Sequence, residues 1–312
     1  MSEFDKSLRT EQFIDADFTN WYTQGSPLVS GAGANLPETL QGFEGQEVVD
    51  FETQLADTIV DAHEPRNPYH GLQHSQRTTE NAYDAYGAFQ NFHSIKLPDG
   101  FLQPVLIGTA AHDHAHPGAT FFADADPDRV PPGANKDMAV EWYTAKLTAE
   151  RVKGMGGTVE QQTVAAYIPA ASAYGAHVEQ GRRLGLDRVV PKGLAGLMMR
   201  AVDVVPLAGD YAVSVAENTA ILIGEKAAGL TVPETIHEYQ DSRKGFLAGY
   251  VLHTLDALDE AAKAPLSGMM GWRERVQQRL TENDWLTKDG FSLQRAMLRA
   301  QTQAQYNHTL AD

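Results

Sequence analysis

Apolar positions along this chain recur at three- and four-residue spacing rather than in alternation. From Gly45 onward, Val48, Phe51, Leu55, Ile59 and Ala62 form one such stripe, which predicts an amphipathic helix ending near Pro65 and Pro68. The same spacing predicts further helices at about 72–92, 100–113, 135–152, 158–176, 187–205, 209–228, 234–262, 266–282 and 291–304. Turn chemistry separates them: Pro-Asp-Gly at 98–100, Pro-Pro-Gly at 131–133, the glycine-rich 154–157, and Pro191, Pro206, Pro233 and Pro265. No alternating β-branched run is long enough to suggest a sheet. The first 45 residues differ, because 25–27 and 31–37 carry turn residues without a sustained period. The expectation is an all-α fold: an irregular N-terminal segment over 1–45, then a single multi-helix domain over 46–312. Such a terminal segment serves as a partner contact, caps a site, or is disordered.

At 312 residues with 42% hydrophobic positions, the chain is long and apolar enough for a sizeable core. Its longest apolar stretches, 193–199 and 250–255, fall well short of the roughly 20 residues that span a bilayer. No basic region precedes an apolar run at the start, so a secretory signal is not expected. A cytoplasmic protein without membrane attachment is the default expectation. The formal charge of −16 argues against binding a nucleic-acid polymer, which needs clustered Lys and Arg. An acidic protein that holds a phosphate therefore needs a local positive source, and divalent metal would supply one. The chain has no Cys, which excludes disulfides, thiolate zinc sites and cysteine nucleophiles. Any metal must be held by His, Asp and Glu, a donor set suited to Zn, Fe, Mn or Mg.

Histidine supplies the candidate chemistry. Seven of the eleven lie between residues 63 and 116, concentrated in Tyr69-His70-Gly71-Leu72-Gln73-His74 and Ala111-His112-Asp113-His114-Ala115-His116-Pro117-Gly118. His70 and His74 are four apart, which on a helix places both on one face. Taken alone, such a pair is more often packing or surface than metal-binding. An apolar lead-in (Leu102, Val105, Leu106, Ile107, Ala110, Ala111) delivers His112 and Asp113 to the end of a buried helix, where a charged Asp is costly unless paired or metal-bound. Asp203 sits within Leu197, Met198, Met199, Ala201, Val202, Val204 and Val205 and poses the same question. A helix cap or a buried ion pair is the structural alternative for it.

The ordered set Y-H-x-x-x-H, H-D-x-x-H-P-G and a later A-D helix resembles the class I cyclic-nucleotide phosphodiesterases. These are an all-helical branch of the HD metal-dependent phosphohydrolases. The resemblance runs from about residue 67 to 256 and is dense only at the first two motifs. It implies that His74, His112, Asp113 and Asp203 hold a first, tightly bound metal, and that Asp113 bridges to a second, water-rich one. Zn at the tight site and Mg or Mn at the second are implied, with Fe also compatible. His70 corresponds to the general acid that protonates the leaving oxygen, and His116 to a residue orienting bound water. Tyr69, Phe246 and Arg243 fall on the substrate side, Phe246 at the position that stacks on a base. The implied substrate is a cyclic nucleotide or another small phosphate ester; a homodimer is left open.

The sequence departs from that family at several substrate positions. Gly71 stands where an asparagine follows the first histidine, and 119–122 replaces the asparagine after H-P-G. Arg243 stands at the purine-selecting glutamine, and Tyr167-Ile168-Pro169-Ala170-Ala171-Ser172 replaces a threonine–aspartate pair. The metal core is thus matched better than the substrate pocket. Arg243 reads either as a grip on a second anionic group or as a surface Arg beside Lys244. His114 is expected to point away from the metals, and His177 and His253 to be core or surface residues. Glu141 and Glu150 either contact metal-bound water or form a solvated helix face. Other readings of the whole set are a nucleotide phosphomonoesterase, a non-catalytic sensor, and a di-iron oxygenase with His177 as an added ligand.

Overall fold

The computed structural model describes residues 13–14, 48–61, 69–97, 99–114, 116–117, 127, 130–131, 134, 140–173, 193–227, 235–282 and 285–286. The expected helix at 291–304, the loop 118–122, His177 and nearly all of the segment 1–45 lie outside these residues.

The fold is an all-α, single multi-helix domain, with no strand among the described residues. In chain order the helices are α1 (Val48–Asp61), α2 (Leu72–His93), α3 (Asp99–Ala110), α4 (Val140–Gly154), α5 (Val159–Ser172) and α6 (Leu194–Val204). A 3-10 turn (Val205–Ala208) follows, then α7 (Tyr211–Ala227), α8 (Ile236–Phe246), a π-turn (Leu247–Val251), α9 (Leu252–Ala262), α10 (Leu266–Met269) and α11 (Trp272–Thr281). The π-turn joins α8 and α9 into the single helical run expected over 234–262. The helix expected over 266–282 is broken instead: Gly271 takes φ +64 between α10 and α11, a conformation that suits glycine.

The centre of the fold is α5. Every residue from Gln161 to Ala171 in it is buried, and α3, α4 and α6 pack around it. After the polar Gln161, Gln162 and Thr163, its buried residues from Val164 to Ala171 are apolar but for the Tyr167 hydroxyl, as a core position requires. Thr158 starts it with a capping box, its hydroxyl accepting from Gln161 N while the Gln161 side chain accepts from Thr158 N. Pro169 sits inside α5 and has no N–H to give Ala165 O, four residues earlier. Helix α3 passes close to that carbonyl, and residue 108 there is glycine. A Cβ on Gly108 would lie 2.6 Å from Ala165 O and 2.8 Å from Ile168 Cβ. The α3–α5 distance therefore depends on a missing side chain, and the end of α3 carries His112 and Asp113.

Phe13 and Ile14 are buried in the same core, an anchor that the composition of 1–45 does not foretell. Phe13 packs its ring on Phe101 and Phe89, at 4.3 and 6.3 Å between centroids. Its backbone crosses the start of α6 so closely that a Cβ on Gly193 would meet Phe13 O at 2.6 Å. No described helix is long and apolar enough to cross a membrane.

Candidate metal centre

Three separated segments bring the site together. Tyr69 and His70 lie in a bend before α2, whose N-cap is Gly71, and His74 sits in the first turn of the helix, its amide donating to Gly71 O at 3.0 Å. His70 is therefore one residue short of the helix rather than on its face, yet its ring is 6.5 Å from that of His74. Helix α3 stops at Ala110, and His112 and Asp113 fall in the turn directly after it, both buried. Asp203 is the penultimate residue of α6 and comes from the opposite side.

Four donor groups converge. His74 Nε2 is 3.0 Å from Asp203 Oδ1 and 3.6 Å from Asp113 Oδ2. His112 Nε2 is 3.2 Å from Asp113 Oδ2 and 3.5 Å from Asp203 Oδ1. Each imidazole is oriented through its other nitrogen. His112 Nδ1 donates to Thr109 O at 2.7 Å, and His74 Nδ1 faces Glu217 Oε2 at 3.2 Å. Both Nε2 atoms thus turn toward one point, as metal-binding imidazoles do.

The electrostatics call for positive charge, from protons or from a cation. With neutral histidines, Asp113 and Asp203 would leave two negative charges in a pocket nearly closed to water, which is untenable without compensation. His112 Nε2 and Asp113 Oδ2 are both buried and meet outside hydrogen-bonding geometry. Lone pairs directed at a shared centre behave in this way. Without metal, protons must fill the role. Burial disfavours the His74 imidazolium, but its contacts with Asp203 and Glu217 outweigh that and raise it to about 9. His112 is also raised well above its usual range, the charge of Asp113 overcoming burial. Burial pushes the Asp113 carboxyl up, yet the charges of His112 and His70 hold it well below the ordinary carboxylate range. Asp203 is lowered against its own burial by contacts with His112 and His74. The donor set and its charge fit a divalent cation.

A second cluster adjoins the first through Asp113. His70, Asp113 and His116 each offer a ligand atom within 4.8 Å of the others, and His70 Nδ1 is 2.8 Å from Asp113 Oδ2. The rings of His70 and His116 are stacked, 3.8 Å apart and 21° from parallel. Asp113 is the group shared between the two clusters.

Around this core the sequence expectations divide. Tyr69 lays its ring on His74 at 4.4 Å and donates from its hydroxyl to Asp203 O at 3.4 Å. Burial and the carboxylates Asp203, Glu217 and Asp113 raise its phenol, while Arg243 pulls the other way, so Arg243 is within electrostatic reach of Tyr69. Arg243 is half-buried, its guanidinium 5.0 Å from the Tyr239 ring and 5.7 Å from that of Phe246. Phe246 stacks on Tyr250 at 5.1 Å. Glu141 is buried at the start of α4, whereas Glu150 is an exposed partner of Lys146 and belongs to the solvated face. His114 is influenced by Arg151 and Asp61, on the α4–α1 side of the turn, and His253 is exposed.

Sequence reasoning missed Glu217 and Arg77. Glu217 is buried on α7 and pairs with Arg77 as well as His74. Arg77 also borders a cleft of about 240 Å³, shared with Asp210 and Arg275, which none of the four converging ligands lines. Glu217 lies in a mixed helical stretch and matches no motif. Its one sequence signal is a charge among Val215, Ala216 and Ala220.

No family model matches the chain, and comparison with curated proteins finds no match either. What the fold and the site establish is an all-helical domain with two His/Asp clusters of metal-binding type, consistent with the broader HD-domain metal-phosphohydrolase superfamily.

Proposed function

We propose that the protein is a metal-dependent hydrolase of a small phosphate ester, with a cyclic nucleotide or related diester as the leading substrate class. The observation that carries this reading is the convergence of His74, His112, Asp113 and Asp203, from three segments, on one point at 3.0 to 3.6 Å. These four residues would hold the first cation, and Asp113 would reach toward a second. Two divalent cations, when bound, lower the pKa of a shared water and neutralise charge developing on the phosphoryl oxygens. The first donor set, two imidazoles and two carboxylates, suits Zn, and the resemblance to the phosphodiesterases implies Mg or Mn at the second position.

The chain's own residues supply the rest. His70 is partly exposed and next to Asp113 without joining the four converging ligands, a position suited to giving a proton to the leaving oxygen. His116, stacked on His70, limits its rotation and can hold bound water by a ring nitrogen. Tyr69 stays protonated and supports both His74 and Asp203. Phe246 would offer a face to a planar base. Arg243, beside Tyr239 and Phe246, would bind a further anionic group on the substrate.

The test is metal analysis of the purified protein with a hydrolysis screen on bis-p-nitrophenyl phosphate, p-nitrophenyl phosphate and the cyclic nucleotides. About two metals per chain and diester turnover abolished by chelator are expected. Turnover of the monoester alone would move the assignment to a phosphomonoesterase. A metal-free protein without turnover would overturn the hydrolase reading.

A further inference from the structure

Glu217 matches no motif, yet its carboxylate is 4% exposed and both oxygens are committed. Oε2 lies 3.2 Å from His74 Nδ1, and Oε1 pairs with Arg77, which is three residues after His74 on the same face of α2. The contact reaches the imidazole from behind, on the nitrogen opposite the one that faces Asp113 and Asp203. Glu217 is therefore not a fifth donor to the cluster.

Helix α7 is fixed at this level. Asn218 donates to Leu207 O at 3.0 Å and to Ser214 O at 2.7 Å, while Tyr239 donates to Asn218 O at 2.8 Å. Glu217 thus reaches His74 from a rigid support. A neutral imidazole carries one ring proton, and an anionic acceptor at Nδ1 holds it there, leaving the Nε2 lone pair for a cation. The Arg77 guanidinium pairs with the other carboxylate oxygen and so fixes the orientation of Glu217 against His74.

We propose that Glu217, held by Arg77, is the positioning residue of the metal centre: it sets the tautomer and orientation of His74 and raises cation affinity. The proposal rests on the reading of His74 as a metal ligand.

The experiment titrates Zn²⁺ into chelator-stripped full-length protein against a chromophoric chelator, for wild type, Glu217→Ala, Glu217→Gln, Arg77→Gln and His74→Ala. Circular dichroism checks the fold of each. Glu217→Ala is expected to weaken cation affinity by about 10- to 100-fold with helical signal intact. Glu217→Gln, which keeps an acceptor oxygen but loses the charge, should fall between Glu217→Ala and wild type. In the Zn-loaded wild type, proton NMR should show a downfield Nδ1–H resonance from His74 that is absent in Glu217→Ala. If Glu217→Ala does not fold, half-exposed Arg77→Gln tests the same link, and unchanged affinity there overturns the proposal. Wild-type affinity in Glu217→Ala, alongside loss of binding in His74→Ala, overturns the positioning role alone. Wild-type affinity in His74→Ala removes the ligand reading itself, and the proposal with it.

Discussion

At the residue scale, the site is a set of buried charges that must be matched by protons or by metal. His74→Ala or Asp203→Ala should lower metal content measured on purified protein, because each removes a converging donor. His70→Ala separates binding from turnover: it should retain metal while hydrolysis falls by about two orders of magnitude or more. An unchanged rate would remove His70 from acid catalysis. The pH dependence has a defined sign. The His74 pKa is raised from 6.5 to about 9, so in metal-free protein its contribution is complete below 6.5 and lost as pH rises through 9. Asp113 and Asp203 are lowered, so their contribution is present above the ordinary carboxylate range and lost as pH falls below it. Thermal melts of chelator-stripped protein should therefore give the highest Tm between the ordinary carboxylate range and 6.5, with a decline toward 9. Since a cation displaces the His74 and His112 protons, Zn²⁺ addition at pH 7.5 in weak buffer should release acid.

At the element scale, the position of the ligands depends on how closely helices approach. His112 and Asp113 hang from the end of α3, and α3 is placed on α5 by the contact of Gly108 with Ala165 O. Gly108→Ala introduces a Cβ 2.6 Å from that backbone oxygen. It should destabilise by about 1–3 kcal/mol in chemical denaturation and also weaken metal binding. A normal Tm would mean that α3 and α5 separate easily, and the ligand turn would then be less rigidly held than described. The helices themselves were largely legible in the sequence. Spacing located α1 through α7 and the α8–α9 run, because each buries a stripe or a whole surface of apolar side chains. The break at Gly271 was not legible, because apolar positions continue across it and only a positive φ ends the helix. His70 shows the same limit: four-residue spacing places it beside His74 on a helix, whereas the chain bends at Gly71 and brings the ring near by another path.

At the scale of the whole molecule, metal and fold should be linked. A ligand that binds only the folded state stabilises it by RT ln(1 + [L]/Kd), about 2.7 kcal/mol at one hundred times Kd. Removing metal with chelator should lower the Tm, and restoring it should raise the Tm with increasing metal concentration. By itself the sequence determined the helical class, the His and Asp residues clustered within each motif and the suitability of such residue types for a hard or borderline divalent cation. Those properties follow from local periodicity, residue type and the lack of Cys. Tertiary structure alone decided which of those donors meet. His74 and Asp203 are 129 positions apart, and His74 and Glu217 are 143 apart. Only the packing of α2 against α6, and of α7 against the 3-10 turn that follows α6, makes them neighbours. It also decided that His70 and His116 stack beside Asp113, that Phe13 closes the core over Gly193, and that Glu217 stands behind His74. These are contacts between distant segments, and no local rule of spacing or propensity encodes the distance between two helices that meet only after the chain has folded.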